Sequence, residues 1–164
     1  MKQIDAKIKA QILVEALPYI QEYAGEIIVI KYGGNAMINE ELKEAVIKDV
    51  VLLNLIGIRV VLVHGGGPEI SEMLEKVGKE SVFVNGLRCT DDETMDIVQM
   101  VLCGKVNKNL VSMLQKAGGN GIGLAGVDGN LFEAVRRDDE HGNVGNIVNV
   151  NPQIVLDVLE KGYI

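Results

Sequence analysis

The sequence predicts an α/β fold with at least one parallel strand pair. Two short, wholly apolar runs, Ile27–Ile30 and Val60–Val63, read as buried strands. Each is followed by glycines and then by a helical pattern. The segment between them is long and periodic enough to be a crossover helix, which makes a βαβ unit.

The chain is organised around Val60-Val61-Leu62-Val63-His64-Gly65-Gly66-Gly67-Pro68. Proline is favoured in the first turn of a helix, so a helix should open near Pro68. Strand, bare turn and helix N-terminus together form a site for an anion. Without Cβ atoms, the N–H groups of Gly65, Gly66 and Gly67 can converge on one point, and the helix end adds partial positive charge. A plain turn would not need three glycines, each of which costs unfolded-state entropy.

Taken in order, residues 4–23 repeat apolar side chains at helical spacing, and Pro18 should kink or break that helix. Residues 1–24 either pack on their own domain or form an arm that pairs with another subunit. Residues 25–164 are read as one domain. A strand from Glu26 leads into Lys31-Tyr32-Gly33-Gly34-Asn35-Ala36. Asn39 should cap a helix from Glu40 to Ile56 that stops at Gly57. In a βαβ unit both strands end on the same sheet edge, where open α/β sheets bind ligands. Lys31 should therefore meet the triple glycine.

Ser81–Thr90 holds two short extended runs around Asn85-Gly86, a strong hairpin signal. Arg88, just past the turn, offers a planar fork for a carboxylate. Thr90-Asp91-Asp92-Glu93 has the form of a capping box, with Thr90 as cap of a helix reaching about Ala117. Acidic residues suit a first helical turn, so Asp91 and Asp92 need no metal, and no metal site is expected. Gly121–Val127 reads as a third buried strand, Asn130–Arg137 as an amphipathic strand, Val144–Val150 as another strand, and Asn151-Pro152 opens a last helix. Tyr163-Ile164 looks like the start of a further strand, so the sequence is expected to be cut within its fold.

Bulk properties exclude several classes. The chain has 164 residues and a formal net charge of −7, which argues against general nucleic-acid binding. It holds no run of eighteen apolar residues and no signal-peptide pattern, so a membrane span is not expected. Cys89 and Cys103 form no CxxC or zinc spacing, which suits a reduced, cytoplasmic setting. His64-Gly65-Gly66-Gly67 resembles an esterase oxyanion loop, but none of Ser71, Ser81 and Ser112 lies in a Gly-x-Ser-x-Gly elbow. No GxxxxGK[ST] loop is present, and Gly119–Gly123 has glycines in the wrong context for a dinucleotide fingerprint. His64 reads as a structural turn residue.

Lys31–Ala36, Val63–Pro68, Asn85-Gly86-Leu87-Arg88-Cys89-Thr90 and Gly104-Lys105-Val106-Asn107-Lys108 occur together and in order. In these motifs the chain resembles the N-terminal half of the acetylglutamate kinases of the amino-acid kinase family. The resemblance implies a three-layer α/β/α sandwich with a mostly parallel sheet, truncated to its N-terminal lobe. It implies phosphorylation of the γ-carboxylate of N-acetyl-L-glutamate by ATP, an early step of arginine synthesis. Lys31 would stabilise the phosphoryl group in flight. Gly33 and Gly34 would lie near the phosphates. Gly66 and Gly67 would hold the substrate and Arg88 its α-carboxylate, with residues 82–90 as a lid.

ATP with Mg2+ would be bound mainly by a C-terminal lobe that this sequence lacks, together with a second lysine, an asparagine and an aspartate of the site. Without that lobe the fragment is expected to be inactive. The N-terminal helix resembles the arm of arginine-inhibited, hexameric members, so a homo-oligomer, arginine and a PII-type signalling protein are the implied partners. Ala125 and Val127 replace a serine and a lysine of related enzymes. Two alternatives keep the fold: a non-catalytic acyl-amino-acid-binding lobe, and a member acting on another carboxylate or on carbamate.

Overall fold

The computed structural model describes residues 5–34, 37 and 39–164. The motif residues Asn35 and Ala36 lie outside them. Helix α1 (Ala6–Tyr23) is capped by Asp5, whose carboxylate accepts from the Lys7 amide at 3.0 Å. Pro18 does not break it. The proline leaves the Val14 carbonyl without its helical donor, but Val14 is 70% exposed, so water can serve that carbonyl. None of the helix's side chains is buried.

Strand β1 (Ile27–Tyr32), helix α2 (Glu40–Leu55) and strand β2 (Arg59–His64) form the βαβ unit. The two strands pair in parallel, Lys31 opposite Val63 and Tyr32 opposite His64. Asn39 caps α2 by accepting from the Leu42 amide at 3.1 Å, and Gly57 (φ 96°) turns the chain out of it. Helix α3 (Gly67–Lys76) follows the glycine turn, then the hairpin β3 (Phe83–Val84) and β4 (Leu87–Arg88). Asn85 (φ 50°) and Gly86 (φ 80°) supply the two left-handed positions of a type I′ turn.

One face of the β1–β2 pair packs against α2, α3 and the later helices. Val60, Leu74 and Val50 are at most 1% exposed, and each such side chain contributes about 1.5–3 kcal/mol on burial. Neither strand is buried on both faces, contrary to their unbroken apolar pattern. Val29 is 64% and Val63 49% exposed, so the opposite face is incompletely covered.

The helix predicted to follow Thr90 is three pieces: α4 (Asp92–Gln99), a π-helical turn (Met100–Val106) and α5 (Asn107–Lys116). Its cap is Asp91, not Thr90: the Asp91 carboxylate accepts from the Thr94 amide at 2.8 Å. Thr90 is drawn instead toward the loop at 141–143, where its amide donates to the His141 carbonyl.

The strand expected at 121–127 is not formed. That segment packs its glycines onto α5, where a Cβ on Gly121 would meet Leu114 at 3.1 Å and one on Gly123 would collide with Asn107. A strand needs a ladder partner, and a cavity of about 430 Å³ lies between residues 122–126 and β2. The segment pairs with the chain end instead: Ile122 donates to Ile164, and Ile164 to Asn120. Strands β5 (Phe132–Arg136) and β6 (Gly145–Val150) form an antiparallel pair that is exposed on both faces, not amphipathic as expected. Helix α6 (Gln153–Glu160) follows Asn151-Pro152 and ends at Gly162 (φ 79°). No described helix is long and apolar enough to cross a membrane.

Candidate active site

The parallel register places the ends of β1 and β2 side by side. Lys31 sits one residue before the end of β1, exposed and without a hydrogen bond or ion pair among the described residues. Gly33 and Gly34 follow, and a Cβ on either would meet nothing within 4 Å, so the backbone there is a bare lip.

Across from it, the glycine turn divides its labour. The Gly65 amide extends the sheet, donating to the Tyr32 carbonyl at 3.3 Å, so it does not join the convergent set expected from sequence. No backbone partner takes the amides of Gly66 and Gly67 among the described residues, which suits donors at a helix start. Gly66 is buried, and a Cβ there would meet Leu102 at 2.6 Å and Val106 at 3.2 Å. The π-helical turn thus presses against the glycine turn and fixes its height.

His64 is structural, as its position suggested. Its Nδ1 faces the Gly65 carbonyl at 2.8 Å and its Nε2 faces the Asn107 side-chain amide at 3.2 Å. A carbonyl accepts and an amide N–H donates, so the fitting form is neutral imidazole protonated on Nδ1.

Arg88 reaches the same turn from the hairpin. One terminal nitrogen donates to Ser81 Oγ at 2.6 Å; the other donates to Ser71 Oγ at 2.9 Å and to the Gly67 carbonyl at 3.4 Å. Its guanidinium carbon lies 4.6 Å from the centre of the Phe83 ring. These partners orient the fork without neutralising it. Partial burial pushes the guanidinium pKa down, as desolvation of an uncompensated charge does. The structure therefore brings Arg88 to Gly66 and Gly67, and Lys31 with Gly33 and Gly34 to the same rim.

Glu69 stands close to the glycine turn. Its Oε2 is buried and unbonded, 3.8 Å from where a Gly66 Cβ would be. Together with Glu40, and after burial itself, it raises the pKa of Tyr32. Among the described residues no His, Cys, Asp and Glu side chains gather into a metal-binding group.

Sequence reasoning missed the residues that aim Arg88. Ser71 lies four residues after Gly67, so helical spacing puts both on one face of α3. Ser81 lies next to Val82, whose carbonyl accepts from the Cys89 amide, so the hairpin register already set it near Arg88. The role of Asn107 had no local signal, since 43 residues separate it from His64.

The sequence pattern of the amino acid kinase family matches residues 26–164. The chain belongs to the amino acid kinase family. The acetylglutamate kinase of Clostridium beijerinckii is 54% identical over 158 residues, covering 95% of this chain and 55% of the relative. That of Pelotomaculum thermopropionicum is 54% identical, covering 95% of this chain and 57% of the relative. This family member thus spans a little over half the length of the curated relatives it matches.

The amino acid kinase fold also recurs among solved structures. The crystal structure of smu.665 from Streptococcus mutans has a TM-score of 0.73 at 32% identity, covering 84% of this chain and 56% of that one. The N-acetylglutamate synthase of Neisseria gonorrhoeae, complexed with coenzyme A and N-acetyl-glutamate, matches at TM-score 0.68 and 22% identity over 93% of this chain and 35% of that one. This last likeness speaks to the fold alone.

Proposed function

We propose that the chain is the acyl-amino-acid-binding part of an N-acetyl-L-glutamate 5-kinase. The single observation that carries this reading is Arg88, a positioned guanidinium held by two hydroxyls and a carbonyl, with no carboxylate partner among the described residues, beside the Gly66 and Gly67 amides. The ligand is then a dianion: one carboxylate takes the Arg88 fork, and the other reaches toward Lys31. The identity of 54% to acetylglutamate kinases supports the choice of substrate.

In the reaction, a γ-carboxylate oxygen of N-acetylglutamate attacks the γ-phosphorus of ATP. The bond to the ADP oxygen breaks, and the products are the acyl phosphate and ADP. The carboxylate is already ionised near neutrality, so no general base is needed. This agrees with a His64 whose ring nitrogens are both engaged. Lys31 would meet charge developing on the transferring phosphoryl group. Gly33 and Gly34 leave room for phosphate oxygens near their backbone. ATP, with Mg2+, would be held mainly by the length of the relatives that this chain does not span.

The arm reading of residues 1–24 also belongs here. Helix α1 buries nothing, with Leu13 69%, Val14 70% and Tyr19 66% exposed, so its apolar side chains suit pairing with another copy.

Calorimetry tests the substrate. N-acetyl-L-glutamate should bind this chain measurably and glutamate more weakly. Equal affinities, or no binding of the acetylated form, would overturn the assignment.

A further inference from the structure

The hairpin that carries Arg88 is docked at its turn and at its base by the loop at 138–143. His141 is the centre of that contact and is 4% exposed. Its Nδ1 lies 2.7 Å from Asp138 Oδ1, and its Nε2 lies 3.3 Å from the Val84 carbonyl at the hairpin turn. Both partners are acceptors. Either neutral tautomer would set a ring lone pair against an oxygen on one side, so only the imidazolium satisfies both. The same loop grips the base of the hairpin through its backbone. Thr90 donates to the His141 carbonyl at 2.9 Å, Asn143 donates to the Thr90 carbonyl, and the Thr90 hydroxyl donates to the Arg88 carbonyl at 3.0 Å.

We infer that His141 is a positioning residue for Arg88: its imidazolium clamps the hairpin turn to the 138–143 loop, so that carboxylate capture by Arg88 follows the protonation of a side chain on a separate loop. The binding consequence rests on the substrate reading above; the clamp does not.

The charges around the ring agree. Asp138 and Glu140 on its own loop favour the charged form, and the pKa of His141 is raised, chiefly by the Asp138 bond. Asp138 in turn is held low by the backbone and ring N–H groups of His141. Arg137 lies 3.5 Å from Asp138, while Arg136 faces Asp139 at 3.7 Å and donates to the Gly142 carbonyl at 3.1 Å. From the start of α4, Asp92 accepts from the Asn143 side-chain amide at 2.7 Å, and Asp91 is taken by Lys79 at 2.8 Å. On the hairpin itself, Arg88 is committed to Ser81 and Ser71. A histidine with a raised pKa holds its contact fully below about pH 6.5, and the contact weakens as the pH rises through the higher value. Each unit by which docking raises that pKa is about a tenfold change in the docking equilibrium.

The test follows the His141 ring by NMR through its titration and the protection factor of the Thr90 amide, which divides out intrinsic exchange. In parallel, calorimetry reads the affinity for N-acetyl-L-glutamate over the same pH range. Thr90 protection should fall as His141 loses its proton. His141→Gln should remove that dependence, and Asp138→Asn, which keeps the imidazole, should move it to lower pH. N-acetyl-L-glutamate affinity should fall with the same midpoint. Thr90 protection that stays constant through the His141 titration, or an unmoved midpoint in Asp138→Asn, would overturn the clamp. Protection that tracks His141 while N-acetyl-L-glutamate fails to bind at every pH would support the clamp and overturn only the substrate assignment.

Discussion

Gly66→Ala and Gly67→Ala separate packing from ligand contact at two adjacent positions. Both keep the backbone N–H. The difference is space. The added methyl at 66 would lie 2.6 Å from Leu102 Cδ2 and 3.2 Å from Val106 Cγ2, whereas at 67 it would meet nothing within 4 Å. Ordinary contact begins near 3.5 Å, so Leu102 or the turn must move by about 1 Å. Overpacking of that kind costs about 1–3 kcal/mol, and about 2–12 °C of melting temperature at this chain length. Gly67→Ala should change stability by less than about 0.5 kcal/mol. Urea titrations of both variants, read with N-acetylglutamate calorimetry, provide the assay. Gly66→Ala should lose stability and affinity together; Gly67→Ala should lose affinity alone. Combining Gly66→Ala with Leu102→Ala should cost less than the sum of the two, with a coupling of at least about 0.5 kcal/mol. Equal stabilities for the two alanine variants, or strict additivity in the double variant, would refute the claim that the π-helical turn sets the glycine turn.

Lys31→Ala in a full-length version should lower kcat by roughly 10²–10³ while leaving the fold unchanged, because an exposed lysine without partners contributes little to stability; steady-state kinetics with an unchanged kcat would refute the role. Arg88→Lys should raise the KM for the acyl amino acid and leave that for ATP alone, since a point charge cannot keep Ser81, Ser71 and a carboxylate at once. Asp91 is held well below its ordinary carboxylate range by Lys79 and by the Thr94 amide, so its contribution is complete above pH 3.8 and is lost as the pH falls through the lower folded value. Urea midpoints of Asp91→Asn should accordingly differ from the parent above pH 3.8 and converge with it in stronger acid. Leu13→Glu with Val14→Glu should lower any self-association seen by sedimentation without lowering the melting temperature of the monomer, because neither side chain is buried.

Much of the fold was legible because its signals are local. The apolar run before each glycine turn, the Asn39 cap, Gly57 and the Asn85-Gly86 turn each dictate geometry within a few residues, and all appear where expected. What was not legible depends on partners far away in sequence. Gly121–Val127 has a strand's composition, yet a strand exists only where another backbone accepts its ladder. Val29 and Val63 look like core because composition reports what a residue can bury, not whether a layer is there to bury it. Pro18 removes a bond, which is why a kink or a break is expected there, but at an exposed carbonyl water can replace that bond. At the site, the cation and the amides could be seen in the sequence, whereas the hydroxyls that aim Arg88 could not, since serine carries no signal until the hairpin is folded against α3.

Two cations, Lys79 before the hairpin and Arg88 on it, show how an acidic chain keeps a place for an anion. Lys79 lies between Asp91 and Glu93, at 2.8 and 2.7 Å, and its charge is spent on holding the end of α3 to the start of α4. Arg88, nine residues on, meets only neutral oxygens and an aromatic face among the described residues. Had an aspartate stood at 71 or 81, the fork would be a structural ion pair and the rim would have no charge left for a ligand. Hydroxyls fix direction while leaving the positive charge uncancelled, and a partly desolvated charge interacts with an incoming carboxylate more strongly than an exposed one would. With a net charge of −7 working against any approaching anion, affinity must come from close, oriented contacts rather than from long-range attraction. It should therefore depend on the angle of the hairpin, and so on every contact that sets it.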